Sequence, residues 1–285
     1  MTPIPGSSRR PVTIGLSAAA LALLAACSSG GSGSAASTGA TSTTGGAGAS
    51  SGTGTAATGS ASSALLTAAT QAQSINSAVT TLHIQVTGSQ ASSETGTLQY
   101  QRTPALMSQD MHIAAEGGNT EVKMILTGTD MYFSEPGLPT GKTWMKFGLA
   151  ALKGKSASFS QLITSMQSNN FTNQAQLFAV AKDAHVVGPA TIDGVATTEY
   201  AGSFKASDAV KELSPAVRSV LGAQLTSLGD SMVSFREWID GQHHMRQVIE
   251  DETVKGHVVT TTMNVTAINA PVKIALPAAS EVTSS

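Results

Sequence analysis

The sequence has few of the residues that build disulfides, ionic surfaces and positively charged binding faces. Its 285 residues include one cysteine, Cys27, which excludes an internal disulfide and a cysteine-built metal cluster. Charged residues make up 12% of the chain, against roughly 25% in an ordinary soluble protein. None of them lies between Arg10 and Glu94. With 16 basic and 18 acidic side chains, the chain has no positive field that could hold nucleic acid, so that class of function is excluded.

The start of the chain has the parts of a bacterial export signal. Arg9 and Arg10 supply positive charge, and an apolar stretch runs from Val12 to Ala26. This stretch is too short to cross a bilayer, which takes about 20 apolar residues. It ends in Leu24-Ala25-Ala26-Cys27, which resembles the bacterial lipobox. The resemblance implies a signal peptide of residues 1–26, cleavage between Ala26 and Cys27, and a diacylglyceryl group on Cys27.

Alternatives for this segment stay open: an ordinary signal peptide with an incidental cysteine, or a free structural thiol. Ser8-Arg9-Arg10 also resembles the start of a twin-arginine signal, but Pro11-Val12-Thr13 departs from its usual continuation, so the export route is undecided. One acyl chain anchors a protein only marginally, and two chains hold it on a membrane. An acylated Cys27 therefore predicts a protein held at the outer face of the cytoplasmic membrane.

A segment of small residues follows the cysteine. Every residue from 28 to 64 is Gly, Ser, Ala or Thr. Such residues bury too little apolar area to offset the entropy lost on ordering, so residues 27–62 are predicted to form a disordered tether. A flexible coil of this length spans roughly 30–35 Å. Its serine and threonine content also suits O-glycosylation, which the sequence does not decide.

Residues 63–285 are predicted to form one domain that starts with a helix and an antiparallel meander. The helix is expected to be capped by Ser62 or Ser63 and to carry apolar residues at helical spacing as far as Ile75 and Val79. Period-two alternation then begins, with Leu82, Ile84 and Val86 on one face. Short turns separate the strands that follow, which are predicted at 98–100, 107–115, 122–126, 131–133 and 143–147.

The middle of the domain changes to helical spacing before strands return. Two short inserted helices are predicted, the first with Phe159, Leu162, Ile163 and Met166, and the second with Phe171, Ala175, Phe178 and Ala181. Asp193-Gly194 is expected to turn between two strands. A helix capped by Ser207 and Asp208 should run to Leu228, with Pro215 kinking it or starting a second segment. Strands at 232–239, 245–252 and 258–268 complete an α+β fold.

Two motifs in this order carry a family resemblance. They are Asp-Gly-Val-X-Thr-Thr-X-Tyr, from Asp193 to Tyr200, and Trp-Ile-Asp-Gly, from Trp238 to Gly241. With the lipobox, the tether and the meander, they make residues 63–280 similar to the actinobacterial lipoproteins of the LppX/LprG type, which are similar in fold to the lipoprotein carrier LolA. The resemblance implies a curved antiparallel half-barrel with helices covering its concave face. It also implies an apolar cavity for acyl chains of lipids or lipoproteins, and no catalytic residues.

The composition of the domain is compatible with such a cavity. Methionine is flexible and polarisable and suits surfaces that accept variable apolar partners. Six methionines cluster in the meander and the first inserted helix: Met107, Met111, Met124, Met131, Met145 and Met166. The alternative is that they fill a solid core. An acyl-accepting pocket is predicted between the inserted helices and the sheet, bordered by Tyr132, Trp144, Met145, Leu162, Ile163, Met166, Phe171 and Phe178.

No pattern for catalysis or metal binding stands out. The sequence has no Gly-X-Ser-X-Gly, P-loop or dinucleotide fingerprint. His243 and His244 are adjacent, and neighbouring strand residues face opposite ways, so they are interpreted as part of a solvated edge or hairpin. His243, Met245 and Gln247 are expected on one face, and His244, Arg246 and Val248 on the other. No metal, cofactor or enzymatic activity is predicted.

The predicted function is that of a membrane-anchored extracytoplasmic lipoprotein that binds or carries lipid or glycolipid acyl chains. Its expected partners are these lipids, the membrane through Cys27, and a transporter or another envelope protein; a monomer is expected. The alternative is an anchored interaction or sensor module with a filled core and no lipid ligand. An apolar cavity of several hundred Å³ would favour the first function. A filled interior with an exposed apolar patch would favour the second.

Overall fold

One large sheet dominates the computed structural model, which describes residues 55–88, 91–115, 118–138, 141–152, 171–254 and 256–284. Its twelve strands are β1 (Ser77–Thr87), β2 (Ser92–Gln101), β3 (Leu106–Ala115), β4 (Gly118–Leu126), β5 (Asp130–Ser134), β6 (Trp144–Gly148), β7 (His185–Ile192), β8 (Val195–Lys205), β9 (Met232–Asp240), β10 (Met245–Val254), β11 (His257–Ile268) and β12 (Val282–Ser284). They lie in the order β12-β6-β5-β4-β3-β2-β1-β11-β10-β9-β8-β7. Neighbours are antiparallel except for β12 and β6, which are parallel. The sheet is open, with β12 and β7 at its edges.

The described helices lie mainly against the β7–β11 half of the sheet. They are α1 (Thr55–Ala72), α2 (Leu149–Leu152), α3 (Phe171–Phe178), α4 (Ala206–Glu212) and α5 (Pro215–Leu228). Helix α1 contacts α3 and the edge strand β7, while α5 contacts α3 and α4. Within the described ranges, no helix combines the length and the apolar character needed to cross a membrane.

The sheet confirms the predicted meander and the α+β half-barrel. Along β1, Leu82, Ile84 and Val86 are buried as the alternation predicts. Strand β11 pairs with β1 at the centre of the sheet, where Ile84 lies opposite Thr261 on one side and Glu94 on the other. The two ends of the meander are thereby joined into one curved sheet.

We call the face on which Ile84 lies the inner face, because the helices pack against it. Phe178 of α3 stacks on Phe235 of β9 with ring centroids 4.6 Å apart. Cross-strand register places Phe235, Glu250, Thr261 and Ile84 in one row. On β8, Gly202 lies opposite Phe235. A Cβ at Gly202 would meet the Phe235 ring at 2.9 Å, so a residue without a side chain is needed for the ring to lie there.

The inner face carries two apolar clusters. The first joins helices α1, α3, α4 and α5 to strands β1, β8, β9, β10 and β11 and to Met111 of β3, and includes Leu65, Phe178, Leu225, Phe235 and Met263. The second lies on strands β2 to β6 and contains Leu98, Met107, Val122, Met124, Leu126, Met131, Phe133 and Phe147. We call them the helix-covered cluster and the methionine cluster.

The first helix differs from its prediction. It begins at Thr55, inside the predicted tether of residues 27–62, and Ser62 and Ser63 lie within it, so neither is its cap. Alanine is the best helix former, and this segment is rich in it. Its small side chains also allow close packing, and Ala61 and Leu65 are fully buried. The helix ends at Ala72, so Ile75 and Val79 are not part of it, and Val79 belongs to β1.

The other helical predictions are partly confirmed. Pro215 is the first residue of α5, and Ser214 caps that helix by accepting a hydrogen bond from the Val217 N–H at 3.4 Å. Ser207 and Asp208 do not cap α4: its N-cap residue is Lys205, with no side-chain hydrogen bond, and the Ser207 hydroxyl donates to Asp230 at 2.7 Å. The second inserted helix is α3, although Ala181 lies beyond its end. The first, with Phe159 and Met166, lies outside the described residues.

Candidate functional site

Most of the methionine side chains of the meander lie in or against the methionine cluster on the inner face. Met107, Met111, Met124 and Met131 lie on β3, β4 and β5 with their side chains on one face. Their exposed fractions are between 0 and 7%. Met145 of β6 lies opposite Phe133 and packs against the same cluster. Met111 belongs to the helix-covered cluster, and Met166, the sixth methionine of the prediction, lies outside the described residues. The burial of the described methionines is also what the alternative of a solid core predicts.

Two predicted pocket residues lie on the other face of the sheet. Strand alternation places Tyr132 and Trp144 away from Met145. The Lys146 ammonium group lies 5.6 Å from the centre of the Tyr132 ring. Trp144 lines an outer groove of about 440 Å³ together with Gln99, Ser108, Asp110 and Lys123. Tyr132 and Trp144 therefore do not border the inner face, because the prediction grouped consecutive residues without separating the two faces.

The remaining predicted site residues divide between described and undescribed parts of the chain. Phe178 is fully buried in the helix-covered cluster, and Phe171 is the first residue of α3. Leu162, Ile163 and Met166 lie outside the described residues, as do Ala26 and Cys27 of the predicted cleavage and acylation site. Pocket membership and acylation thus stay predictions.

A small enclosed void lies between the two clusters on the inner face. It is lined by Thr80, Leu82, Leu98, Gln109, Met111 and Met263, and its volume is about 10 Å³. That is close to the lower limit for one water molecule. An acyl chain could enter this part of the interior only if side chains move, and Met111 and Met263 are the flexible ones.

Four glutamate side chains, none of them predicted from the sequence, point into the same interior. Glu94, Glu237, Glu250 and Glu252 have exposed fractions of 2, 0, 4 and 3%. Both carboxyl oxygens of Glu237 and of Glu252, and Oε2 of Glu94, have no hydrogen-bond partner within the described part of the chain. One signal in the sequence could have indicated this. Val248, Glu250 and Glu252 are spaced two residues apart and so share one strand face, and Val248 is an apolar residue expected in the core.

Burial raises the pKa of each of these carboxyl groups, because desolvation penalises the charged form. The pKa of Glu237 rises to about 8. That of Glu252 rises to about 9, through burial and the nearby Glu250 carboxyl group. The pKa values of Glu94 and Glu250 rise to about 7, and for Glu250 the charge of Asp251 adds to the effect of burial. At neutral pH Glu237 and Glu252 are therefore largely uncharged, whereas Glu94 and Glu250 are close to the midpoint of their titration.

The β9–β10 hairpin is built on Asp240. Its carboxylate accepts hydrogen bonds from the backbone N–H groups of Gln242 at 2.8 Å and His244 at 2.9 Å, and from the Arg246 side chain at 2.8 Å. Burial alone would raise the pKa of Asp240, but these hydrogen bonds and the Arg246 charge outweigh it and hold the pKa below its usual value. The interpretation of Asp240-Gly241 as a turn is confirmed.

His243 and His244 lie in the β9–β10 hairpin, one of the two predicted settings, and His243 is exposed, but His244 is not solvated. Its side chain is 11% exposed, with Nδ1 3.5 Å from Asp240 and Nε2 3.4 Å from Gln71 of α1. The predicted faces are wrong too, because the register shifts between Met245 and Gln247 and both Met245 and Val248 are buried. A bulge places an extra residue in one strand and resets the alternation.

We expect Asp240→Ala to cost about 3 kcal/mol of unfolding free energy, since it leaves two backbone N–H groups and Arg246 without their acceptor. Asp208→Ala is the matched control: its ion pair with Lys211, at 2.8 Å, is exposed and screened by solvent, so its loss should change the stability little. Urea unfolding of both variants measures the difference. Equal costs would contradict the central role of Asp240 in the hairpin.

A group of potential metal ligands lies on the outer face, where a lysine side chain is paired with its carboxylates. Asp110, His112 and Glu121 place ligand atoms within 4.8 Å of one another. The Lys123 ammonium group lies 2.8 Å from Glu121 and 3.6 Å from Asp110. Lys123 therefore supplies the positive charge there, and its interaction with Glu121 lowers the pKa of that carboxyl group.

Comparison with known proteins gives structural relatives only. Neither a protein-family model nor a curated protein sequence matches the chain. The crystal structure of LprF from Mycobacterium bovis is 14% identical, with a TM-score of 0.50 over 78% of this chain and 99% of that chain. The Mycobacterium tuberculosis lipoprotein LppX is 16% identical, with a TM-score of 0.44 over 76% of this chain and 99% of that chain. A LolA superfamily protein from Nitrosomonas europaea is 11% identical, covering 76% of this chain and 94% of that chain, with a TM-score of 0.26.

At 14% identity the match to LprF establishes the fold, and it extends over nearly the whole length of that protein. The motifs at Asp193–Tyr200 and Trp238–Gly241 predict the same fold, and in the structure each lies in a β-hairpin. The chain therefore has the same open half-barrel fold as LprF.

Proposed function

We propose that the protein is a membrane-anchored extracytoplasmic lipoprotein that binds or carries the acyl chains of a lipid or glycolipid. The observation that carries the proposal is the methionine cluster on the inner face of a lipid-carrier fold. Hiding an acyl chain there would stabilise the complex by roughly 25 cal/mol for each Å² of apolar surface removed from water. Cys27 would hold the carrier at the membrane, and the following residues would let the domain turn toward its lipid source.

The same geometry supports binding without covalent chemistry. Met145 is half-buried at the border of the cluster, next to the fully buried Met131 and Phe133 of β5. Flexible methionines can rearrange around chains of different length and saturation. The contact residues proposed here are Met145, Phe171 and Phe178, together with Leu162, Ile163 and Met166 from the segment predicted as an inserted helix.

The main competing function is an anchored interaction or sensor module. The void of about 10 Å³ favours it at one place among the described residues, between Leu82, Leu98 and Met263, where there is no room for a ligand. The two functions differ in whether lipid stays bound. A carrier should retain lipid through purification, whereas an interaction module should contain none.

Lipid extraction from the full chain tests the proposal. The wild-type protein should partition with membranes, and Cys27→Ser should move it to the soluble fraction. Mass spectrometry of extracts from the soluble Cys27→Ser chain should then find acyl lipids. Adding Met145→Gln should reduce their recovery several-fold, because the amide is costly to bury in contact with hydrocarbon.

The matched control is Lys146→Gln, one residue away on the outer face. It should leave lipid recovery unchanged. Circular dichroism checks that both variants are folded. Repeated recovery of no lipid from the folded Cys27→Ser chain would overturn the carrier function and favour the interaction module.

A further inference from the structure

The outer groove lies on the face of the sheet opposite the methionine cluster, and two rows of side chains cross β2, β3 and β4 along its floor. The first row is Gln99, Ser108 and Ile125, and the second is Thr97, Asp110 and Lys123. Trp144 of β6 lines the same groove, although β6 lies two strands from β4. The volume of about 440 Å³ is within the usual range of small-molecule sites. The lining thus combines a large aromatic side chain with a mostly polar floor.

Several hydrogen-bonding groups of this lining are not used by the protein itself. Four lining side chains make no hydrogen bond within the described part of the chain: Thr97, Gln99, Ser108 and Trp144. All four are half-buried. They supply two hydroxyl groups, one amide group and one indole N–H, which include both donors and acceptors. A molecule in the groove therefore meets free donors and acceptors side by side.

The charges of the groove are already paired. The Asp110 carboxylate lies 3.6 Å from the Lys123 ammonium group, which is also 2.8 Å from the Glu121 carboxylate. Among the described lining residues no lysine or arginine is left unpaired to hold a phosphate or a carboxylate. An acyl chain would cover the free hydroxyl and amide groups without replacing their hydrogen bonds to water, which costs free energy. The lining therefore favours a ligand that is polar and uncharged.

An extended peptide does not fit this position in the sheet. Such peptides add to a sheet edge, where backbone N–H and C=O groups are unpaired. Strands β2, β3 and β4 each have a neighbouring strand on both sides. The groove must therefore recognise its ligand through side chains.

We propose that the outer groove binds an uncharged sugar unit of a glycan chain. A sugar ring has hydroxyl groups around its edge and C–H groups on its faces. The hydroxyl groups match the free groups of Gln99 and Ser108, and a C–H face matches the negative π-face of Trp144. Ile125, which is 6% exposed and lies opposite Ser108, adds an apolar contact. The inference goes beyond the proposed function, because the acyl chains are proposed to lie on the other face of the sheet.

Fluorescence titration of the full Cys27→Ser chain tests the inference. The neutral probes are cellotetraose, maltotetraose, mannotetraose and chitotetraose, and tetragalacturonate is the anionic probe. At least one neutral probe should bind and shield Trp144 from quenching by acrylamide, and the other tryptophan, Trp238, is only 6% exposed. Tetragalacturonate should bind more weakly than that neutral probe, because its carboxylates would lie near those of Asp110 and Glu121.

Variants place the binding in the groove. Trp144→Ala should lower the affinity about 10-fold or more, as the loss of an aromatic anchor does in other interfaces. Trp144→Phe keeps a ring that stacks and should retain most of the affinity. Gln99→Ala removes one hydrogen-bonding group and should lower the affinity about 3-fold. Its matched control is Gln85→Ala, an exposed amide of β1 outside the groove, which should bind like the parent chain. Circular dichroism checks that each variant is folded.

The outcomes separate this site from the lipid carrier function. Binding of no neutral probe, equal affinities in Trp144→Ala and the parent chain, or a preference for tetragalacturonate would each overturn the sugar site and leave the carrier function standing. Lipid recovery from Trp144→Ala should equal that from the parent chain. Met145→Gln should leave probe binding unchanged, and a loss of binding there would assign the sugar to the carried lipid and overturn a separate glycan site.

Discussion

The folded domain should be most stable near pH 5 and should lose stability as the pH rises to 9. In the unfolded chain a glutamate has a pKa of about 4.5, whereas the pKa is about 8 for Glu237 and about 9 for Glu252 in the folded protein. Between these values the folded state holds protons that the unfolded state has released, so raising the pH favours unfolding. The stabilisation is complete below pH 4.5 and is lost as the pH passes through 7 to 9.

The expected effect is large. For Glu237 alone, the change from 4.5 to about 8 corresponds to roughly 5 kcal/mol. In a domain of this size 1 kcal/mol changes Tm by about 2–4 °C, so Tm should fall by about 10–20 °C from pH 5 to pH 9. Calorimetric scans of the Cys27→Ser chain at pH 5, 7 and 9 measure this.

Glutamine substitutions provide the control, since an amide does not titrate. Glu237→Gln with Glu252→Gln should flatten the dependence of Tm on pH, and Glu212→Gln, at an exposed residue, should not. Asp240 acts in the opposite direction at low pH, because its lowered pKa gives stability that is lost as the pH falls through that value. A Tm that rises from pH 5 to pH 9 would contradict the burial of uncharged glutamic acids.

Strands such as β1 were predictable because one face is buried and the other is partly or fully exposed. In β1 the burial alternates along the strand and leaves the period-two signal of Leu82, Ile84 and Val86 clear. The predicted turn at Asp193-Gly194 lies between β7 and β8, and both of its residues have positive φ. The α1 segment 55–62 has no comparable signal, because Ala, Gly, Ser and Thr look the same whether packed or solvated.

The buried glutamates were missed for a different reason. A run of Glu250, Asp251 and Glu252 is ordinarily solvated, since charged residues are almost never fully buried without a partner. Only the register with Val248 indicates that two of the three face inward, and the bulge at Met245–Gln247 hides that register from the sequence. Long-range pairing also brings Glu94 of β2 into the same interior, and no local pattern encodes it.

Phe178 is the predicted pocket residue whose role is most ambiguous. It is fully buried and stacks on Phe235, which lies close to Gly202 of β8. This arrangement ties α3 to the sheet, so Phe178 is a core residue in the state described. In a carrier it would also belong to the cover that must move when a lipid enters.

We expect Phe178→Ala to cost about 3–5 kcal/mol of unfolding free energy, since it removes the stacked ring and leaves a cavity under α3. Phe147→Ala, in the methionine cluster, should have a similar cost and is the matched control. Only Phe178→Ala should also speed the exchange of a bound acyl probe, because it loosens the helix that covers the inner face. A cost below about 1 kcal/mol would contradict the packing of α3, and equal exchange rates in the two variants would contradict its role as a cover.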